Sequence, residues 1–382
     1  MRDTGGIVPL GQSVGRLLAA PVEARLALPC FDQSAMDGYA VAASLVADGE
    51  TVLPVSQRIL AGQCGQPLLQ GTAARIFAGA PLPEGADAVV MQEQAVTGDG
   101  RVCFHGPVTA GTHVRRRGED ITEGEVSLTP GTLLSPRHLG LLASQGMADV
   151  PVLRRPVVVV LSTGGELRSL GSALGPGAIY DSNRPMVLAL AAEAGLEAID
   201  GGCLPDNADL LAQRLSDLSG KADMVVTSAG ASVGDEDNSL KAAEAAGFRC
   251  EALRVAMKPG KPAVVGQRGK TAYLGLPGNP FSDFLSWTIL GRAMVAALAG
   301  RSWQLAEGFV LPAANCFGHK QGRTEFAPAR LCRHDGRVQV ELLGQGVSRH
   351  LKPLSAAEGL AEIHSTSGVV KAEDSVRFHP FP

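Results

Sequence analysis

Between residues 156 and 302, uninterrupted apolar runs alternate with segments of helical spacing. Val157-Val158-Val159-Val160-Leu161 has no polar break, the mark of a strand covered on both faces. Helical spacing follows over 184–195, a strand near 197–203, a helix over 207–218 and a strand over 224–227. A helix over 239–246, strands near 250–255, 263–265 and 271–275, and a long helix from 281 complete the run. This alternation predicts a largely parallel sheet with helices on both faces.

The flanking regions read differently. Val8, Leu10, Val14, Leu17 and Leu18 stand at helical spacing and predict a helix over 7–20; an extended segment begins near Leu26. Short strands follow at 53–56, 74–77, 88–91 and 101–104, with Gly98-Asp99-Gly100 as a hairpin turn. Residues 118–154 read as a connector, helical around 137–144, and short strands return at 325–326, 338–342 and 375–378. The expected fold class is α/β multidomain. A three-layer, doubly wound α/β domain over 156–302 is joined by a small, mostly β domain over 30–117 and a C-terminal β domain over 303–382. Residues 1–29 and 118–155 form a helical and extended connector domain.

Composition narrows the function classes. Aromatics make up only 4% of the 382 residues, so the cores must rest on Leu, Val and Ala. A net charge of −4 gives no electrostatic case for nucleic acid. The seven cysteines are scattered without a CxxC pair, and the eight histidines do not cluster with them, which predicts isolated thiols rather than a zinc site or a disulfide framework. No signal peptide is legible, and the apolar stretch 281–298 carries Asp283 and Arg292, too polar for a membrane span. A cytoplasmic protein without membrane contact is expected.

The candidate chemistry sits where strands end. After Leu161, Ser162-Thr163-Gly164-Gly165-Glu166 offers hydroxyls and free N–H groups, and reads equally well as a plain strand-to-loop turn. Thr227 and Ser228 open a small-residue stretch that ends in Asp235-Glu236-Asp237. Such a stretch gives phosphate contacts beside carboxylates that suit Mg²⁺, although Asp237 also reads as a helix cap. Lys258-Pro259-Gly260-Lys261-Pro262 is a stiff loop whose two ammonium groups can converge on one anion; two solvated lysines are the plainer reading. Gly275-Leu276-Pro277-Gly278-Asn279-Pro280 ends a strand and starts a helix, whose N-terminus attracts anions. In the N-terminal region, Asp37 and Gly38 lie in a polar stretch between apolar neighbours. Arg115-Arg116-Arg117 precedes Asp120 and reads first as a solvated run.

In order and almost end to end, these segments resemble the molybdopterin molybdenumtransferase family, MoeA in bacteria and the gephyrin E domain. The matching text is SAMDGYA (34–40), AGAPLPEGADAVVMQE (78–93), RRRGEDI (115–121), STGGEL (162–167), YDSNRPM (180–186), the 227–237 loop, MKPGKP (257–262), GLPGNP (275–280) and GRTEF (322–326). The resemblance implies insertion of molybdenum from molybdate into adenylated molybdopterin with release of AMP. It further implies a homodimer in which a MogA-like α/β domain faces the partner's N-terminal β domain. Asp37 and Asp120 would be the facing subunit's share of the site. Glu166, Asp206 and Asp237 would supply carboxylates, with Glu166 and Asp237 on Mg²⁺. Lys258, Lys261, Ser232, Arg323 and Ser348 would hold molybdate or the pterin phosphate, with Ser162, Thr163 and Ser228 among the substrate contacts. Pro277 and Pro280 would shape their loop. Molybdopterin adenylyltransferase and molybdoenzyme-maturation proteins are the implied partners.

The chain departs from the family's usual text at Ala78 (Thr), Gly165 (Asp) and Asn238 (an aromatic or His), and Lys241 lies one residue late. Two other readings follow. One is a diverged carrier that binds molybdopterin or the finished cofactor without insertion; the other is a molybdopterin adenylyltransferase.

Overall fold

The computed structural model describes residues 4–228, 238–301, 303–344, 347 and 349–381. The chain divides into two compact units, Met1–Leu153 and Arg154–Pro382.

In the first unit, six strands form one sheet, ordered Ala88–Met91, Gly38–Val41, Ala73–Ile76, Glu50–Ile59, Arg101–His105 and Ala95–Gly98. The last two are joined by the expected hairpin, whose central residues Asp99 and Gly100 both take positive φ (50° and 72°). Tyr39, Leu53, Val90, Val102 and Phe104 pack one cluster, and Ala40, Ile59, Ile76 and Val89 another.

The helix expected over 7–20 does not form. Thr4–Pro9 is a strand paired antiparallel with Asp149–Leu153, followed by a 3-10 turn at Leu10–Gln12. Gly5, Gly6, Gly11 and Gly15, with Pro9 among them, remove helix propensity. Val8, Leu10 and Leu18 reach the same core as Leu142, Val150 and Val152 from extended and turn positions, so their spacing imitates a helical face. Val22–Glu23 likewise pairs with Val126–Leu128. The helix near 137–144 does form, over Pro136–Ser144, with the Ser135 N–H donating to His138 Nδ1 at 3.1 Å.

The second unit holds the α/β sheet, ordered Glu197–Leu204, Val157–Thr163, Met224–Ser228, Thr271–Leu276, Pro262–Arg268 and Arg249–Arg254. The first four strands are mutually parallel, and Pro262–Arg268 runs antiparallel to both of its neighbours, Thr271–Leu276 and Arg249–Arg254. Ala208–Leu218 and Asn238–Ala245 contribute to the core on one face; Asn183–Glu193 and the segment from Pro280 contribute to the other. The long helix expected from 281 is broken by a π-helical turn at Trp287–Gly291 between Pro280–Ser286 and Arg292–Leu298. Trp287 is fully buried there and its ring lies so close to Gly291 that a Cβ would stand 2.6 Å from it.

A second sheet in this unit runs Met257–Lys258, Thr324–His334, Gly359–Ile363, Ser375–Pro380 and Phe309–Pro312, with Arg337–Leu342 added on Thr324–His334. The lysine segment therefore does not end as a loop of the α/β sheet. It leaves the connection between Arg249–Arg254 and Pro262–Arg268 to pair in parallel with Thr324–Glu325.

Candidate functional site

The parallel strands end side by side at Thr163, Leu204, Ser228 and Leu276, where open α/β sheets place their ligands. The first loop is fixed through its backbone. The Gly164 N–H donates to the Leu204 carbonyl at 3.1 Å, and the Ile179 N–H to the Glu166 carbonyl at 3.0 Å. Arg168 braces the carbonyls of Gly165 and Leu167, both at 2.8 Å. With its main chain held, the loop leaves the Glu166 side chain exposed and folded back over Gly164. A Cβ on Gly164 would meet Glu166 Oε2 at 2.8 Å, so that glycine makes room for the carboxylate.

Asp206 comes to the same loop from the neighbouring strand end. Its Oδ2 accepts from the Gly165 N–H at 3.4 Å, while the next residue, Asn207, caps helix Ala208–Leu218 through the N–H groups of Asp209 and Leu210. Both carboxylates act on the Cys203 thiol: partial burial, then Asp181, with Glu166 and Asp206 adding, pushes it above its ordinary range. Glu166 and Asp206 therefore come to the same strand-end region, one on the 164–166 loop and one on the Gly165 N–H of that loop. Asp237, the other expected metal ligand, lies outside the described residues, as do Ser232 and Ser348.

The hydroxyls behave otherwise. Ser162 and Thr163 are buried, and Ser162 Oγ has no hydrogen-bond partner among the described residues. Ser228 is also buried and donates to Asp283 Oδ2 at 2.5 Å. Asn183 Nδ2 reaches Ser228 Oγ (3.0 Å), the Gly278 carbonyl (2.6 Å) and Asp283 Oδ2 (3.1 Å). The Gly278 N–H donates to Asp283 Oδ1 at 2.7 Å. Burial pushes the Asp283 carboxyl up to about 7 even though the bonds from Ser228, Gly278 and Asn183 favour its charged form. This network ties the loop holding Pro277 to the strand end at Ser228. The Asp283 carboxyl thus takes the Gly278 N–H near the start of the helix at Pro280.

The lysine hairpin is anchored on charge. Lys258 Nζ lies 2.9 Å from Glu325 Oε1, and His319 Nδ1 lies 2.8 Å from Glu325 Oε2; the Glu325 and His319 side chains are essentially inaccessible. The Arg323 guanidinium donates to the Met257 carbonyl at 3.3 Å. Lys261 is exposed, and its carbonyl accepts from the Val255 N–H across the hairpin at 2.9 Å. Gly260, at φ 89°, sits so close to the helix Pro280–Ser286 that a Cβ would stand 2.8 Å from Ser286 Oγ.

In the first unit, Asp37 is exposed and its Oδ1 accepts from the Ala78 N–H at 2.9 Å, a backbone contact that alanine in place of threonine leaves intact. Arg75 stands beside it, bonded to the Gly38 carbonyl at 2.9 Å and stacked at 4.6 Å on the Phe77 ring. Asp120 is exposed, with its N–H on the Leu28 carbonyl at 3.0 Å. Arg116 and Arg117 are used locally, on Asp32 at 2.6 Å and Glu123 at 3.2 Å, as a solvated run would be.

Sequence reasoning missed Asn183, Asp283, His319 and Glu325. Asn183 and Glu325 stand inside quoted segments, YDSNRPM and GRTEF, and a polar residue at a core position of a helix was the available signal for Asp283. Among the described residues, no helix is long and apolar enough to cross a membrane.

Residues 2–146 match the MoeA N-terminal region (domain I and II), residues 159–297 a probable molybdopterin binding domain, and residues 311–381 the MoeA C-terminal region (domain IV). Among curated relatives, a molybdopterin molybdenumtransferase 2 of Mycobacterium tuberculosis is 37% identical, covering 93% of this chain and 90% of its own length. A molybdopterin molybdenumtransferase of Haemophilus influenzae is 34% identical, covering 97% and 93%. A solved molybdopterin biosynthesis MoeA protein from Pyrococcus horikoshii OT3 superposes with a TM-score of 0.79 at 26% identity, covering 98% of this chain and 94% of that one.

Proposed function

Because the chain belongs to the molybdopterin molybdenumtransferase family, we propose that it is an enzyme of molybdenum cofactor biosynthesis that transfers molybdenum from molybdate to adenylated molybdopterin and releases AMP. The observation that supports this reading is two exposed carboxylates at neighbouring ends of the parallel strands, Glu166 on a backbone-fixed loop and Asp206 accepting from that loop's Gly165 N–H.

Glu166 and Asp206 would hold Mg²⁺, together with Asp237, which lies outside the described residues. Bound there, the ion would offset charge on the phosphoanhydride as it is cleaved. The chain's own groups supply the rest. Lys261, exposed on the hairpin, reaches toward a dianion, and Lys258 keeps N–H donors beyond the one on Glu325. Arg323 would join them in binding the anion, with Ser232 and Ser348, outside the described residues, as further contacts that the resemblance implies. Asp37 and Asp120 would come from the partner of a homodimer. The dithiolene sulfurs that receive molybdenum belong to the substrate, so no cysteine is required.

Gly165 favours a carrier only if an acidic side chain at that position is indispensable. A Cβ there would meet nothing within 4 Å, so the replacement leaves open space rather than a distorted loop. Asp206 brings a carboxylate against the same residue. Both observations support retained insertion.

The purified chain, mixed with adenylated molybdopterin, molybdate and Mg²⁺, is expected to release AMP and form cofactor that restores an apo-molybdoenzyme. Substrate binding with AMP release no faster than in its absence selects the carrier. Formation of the adenylate from molybdopterin and ATP selects the adenylyltransferase.

A further inference from the structure

We propose that Glu50, Cys103 and His105 form a zinc-binding site on the sheet of the N-terminal unit, apart from every residue assigned to cofactor synthesis. Strand pairing creates it. Glu50 lies directly opposite His105 in the antiparallel ladder between Glu50–Ile59 and Arg101–His105, and Cys103 opposite Val52. Side chains two apart on a strand share a face. Val102 and Phe104 are fully buried on the other face, so Cys103 and His105 are both turned outward. The ladder continues one step further, with the Gly106 N–H on the Gly49 carbonyl at 2.8 Å, which holds the strand ends in register at the site.

One carboxylate oxygen, one sulfur and one imidazole nitrogen consequently lie within 4.8 Å of one another. Cys103 Sγ is 3.9 Å from His105 Nε2. Around a tetrahedral Zn²⁺, with bonds of about 2.3 Å to sulfur and 2.0 Å to nitrogen, those atoms stand roughly 3.5 Å apart. A shift of a few tenths of an ångström brings the sulfur and nitrogen to that spacing, and a rotamer adjustment of the exposed Glu50 brings in its carboxylate. The mixed S, N, O donor set favours a borderline-soft divalent ion over Mg²⁺ or Ca²⁺. Three protein ligands leave a fourth position for water or an outside ligand, because Glu50 and His105 are exposed. On binding, the Cys103 S–H bond breaks, the S–Zn bond forms and the proton passes to solvent. The expectation that no histidine clusters with a cysteine fails here, because Cys103-x-His105 is invisible to a search for CxxC spacing and becomes a pair only once the segment is a strand.

The test is titration of the metal-free full-length chain with Co²⁺ as a spectroscopic probe, followed by Zn²⁺. One equivalent of Co²⁺ should produce a sulfur-to-cobalt charge-transfer band that one equivalent of Zn²⁺ removes. Cys103→Ser should abolish the band. His105→Ala, at an exposed position, should keep it but weaken binding at least tenfold. AMP release should be unchanged in both variants, and failure of the wild type to release AMP bears on the proposed function alone. Absence of the band at one equivalent, or its persistence in Cys103→Ser, overturns the proposal.

Discussion

At the 164–166 loop the charges face outward: Glu166 and Asp206 are exposed, and neither has a basic partner among the described residues. At the 257–261 hairpin the arrangement is reversed. Lys258 is paired with a buried glutamate that also engages a buried histidine, and the pairing joins the α/β sheet to the C-terminal sheet. One segment is positioned by backbone bonds so that its charges remain available; the other is positioned by its charges. Glu166 should therefore matter for chemistry with little effect on stability, and Glu325 for stability first.

Removing Glu325 tests that division most severely. Glu325→Ala leaves the half-buried Lys258 ammonium and the buried His319 imidazole without their shared partner, and a buried hydrogen-bonding group left unsatisfied costs about 1–3 kcal/mol. Denaturant unfolding of the variant should show a loss of that size; a loss within about 0.5 kcal/mol, typical of surface substitutions, would break the comparison. Asp283 sharpens it through pH. Its folded value of about 7 lies above the ordinary carboxyl value of 3.8, so the folded chain keeps a proton that the unfolded chain has already released. This contribution is fully present below about pH 4 and declines as pH rises toward 7, by up to about 1.4 kcal/mol per pH unit. Asp283→Asn should remove that slope from stability measured between pH 4 and 7; identical slopes in the two proteins would contradict the buried network. The smallest expected effect on stability is at Lys261. Lys261→Met should stay within about 0.5 kcal/mol of the parent while the concentration of molybdate needed for half-maximal AMP release rises roughly tenfold, as loss of one charged contact of about 1.4 kcal/mol predicts.

Much of this was legible in the chain. The run 157–161 and the alternation after it predict the α/β sheet because a strand buried on both faces cannot carry polar residues. The glycine at 164 marks the loop where a carboxylate folds back on the main chain. What the chain concealed depends on pairing between distant segments. The strand at Thr4–Pro9 exists because Asp149–Leu153 lies beside it, and local spacing there imitated a helix. Lys258 reads as a free ammonium until Thr324–Glu325 is placed next to it. Asp283 shows in the chain only as a polar residue within an apolar helix, and its partner is not legible until Ser228 is placed beside it. The antiparallel turn of the last two α/β strands is likewise set by their hairpin rather than by their composition.

The most direct test compares AMP release from adenylated molybdopterin by the parent chain and by Glu166→Gln, in molybdate and Mg²⁺, alongside their unfolding curves. The expected result is measurable release by the parent, a fall on the order of 10²-fold in the variant and superimposable unfolding. Equal rates in the two proteins, or a variant that loses activity only because it unfolds, would contradict a carboxylate loop built to leave its charges free for the substrate's metal.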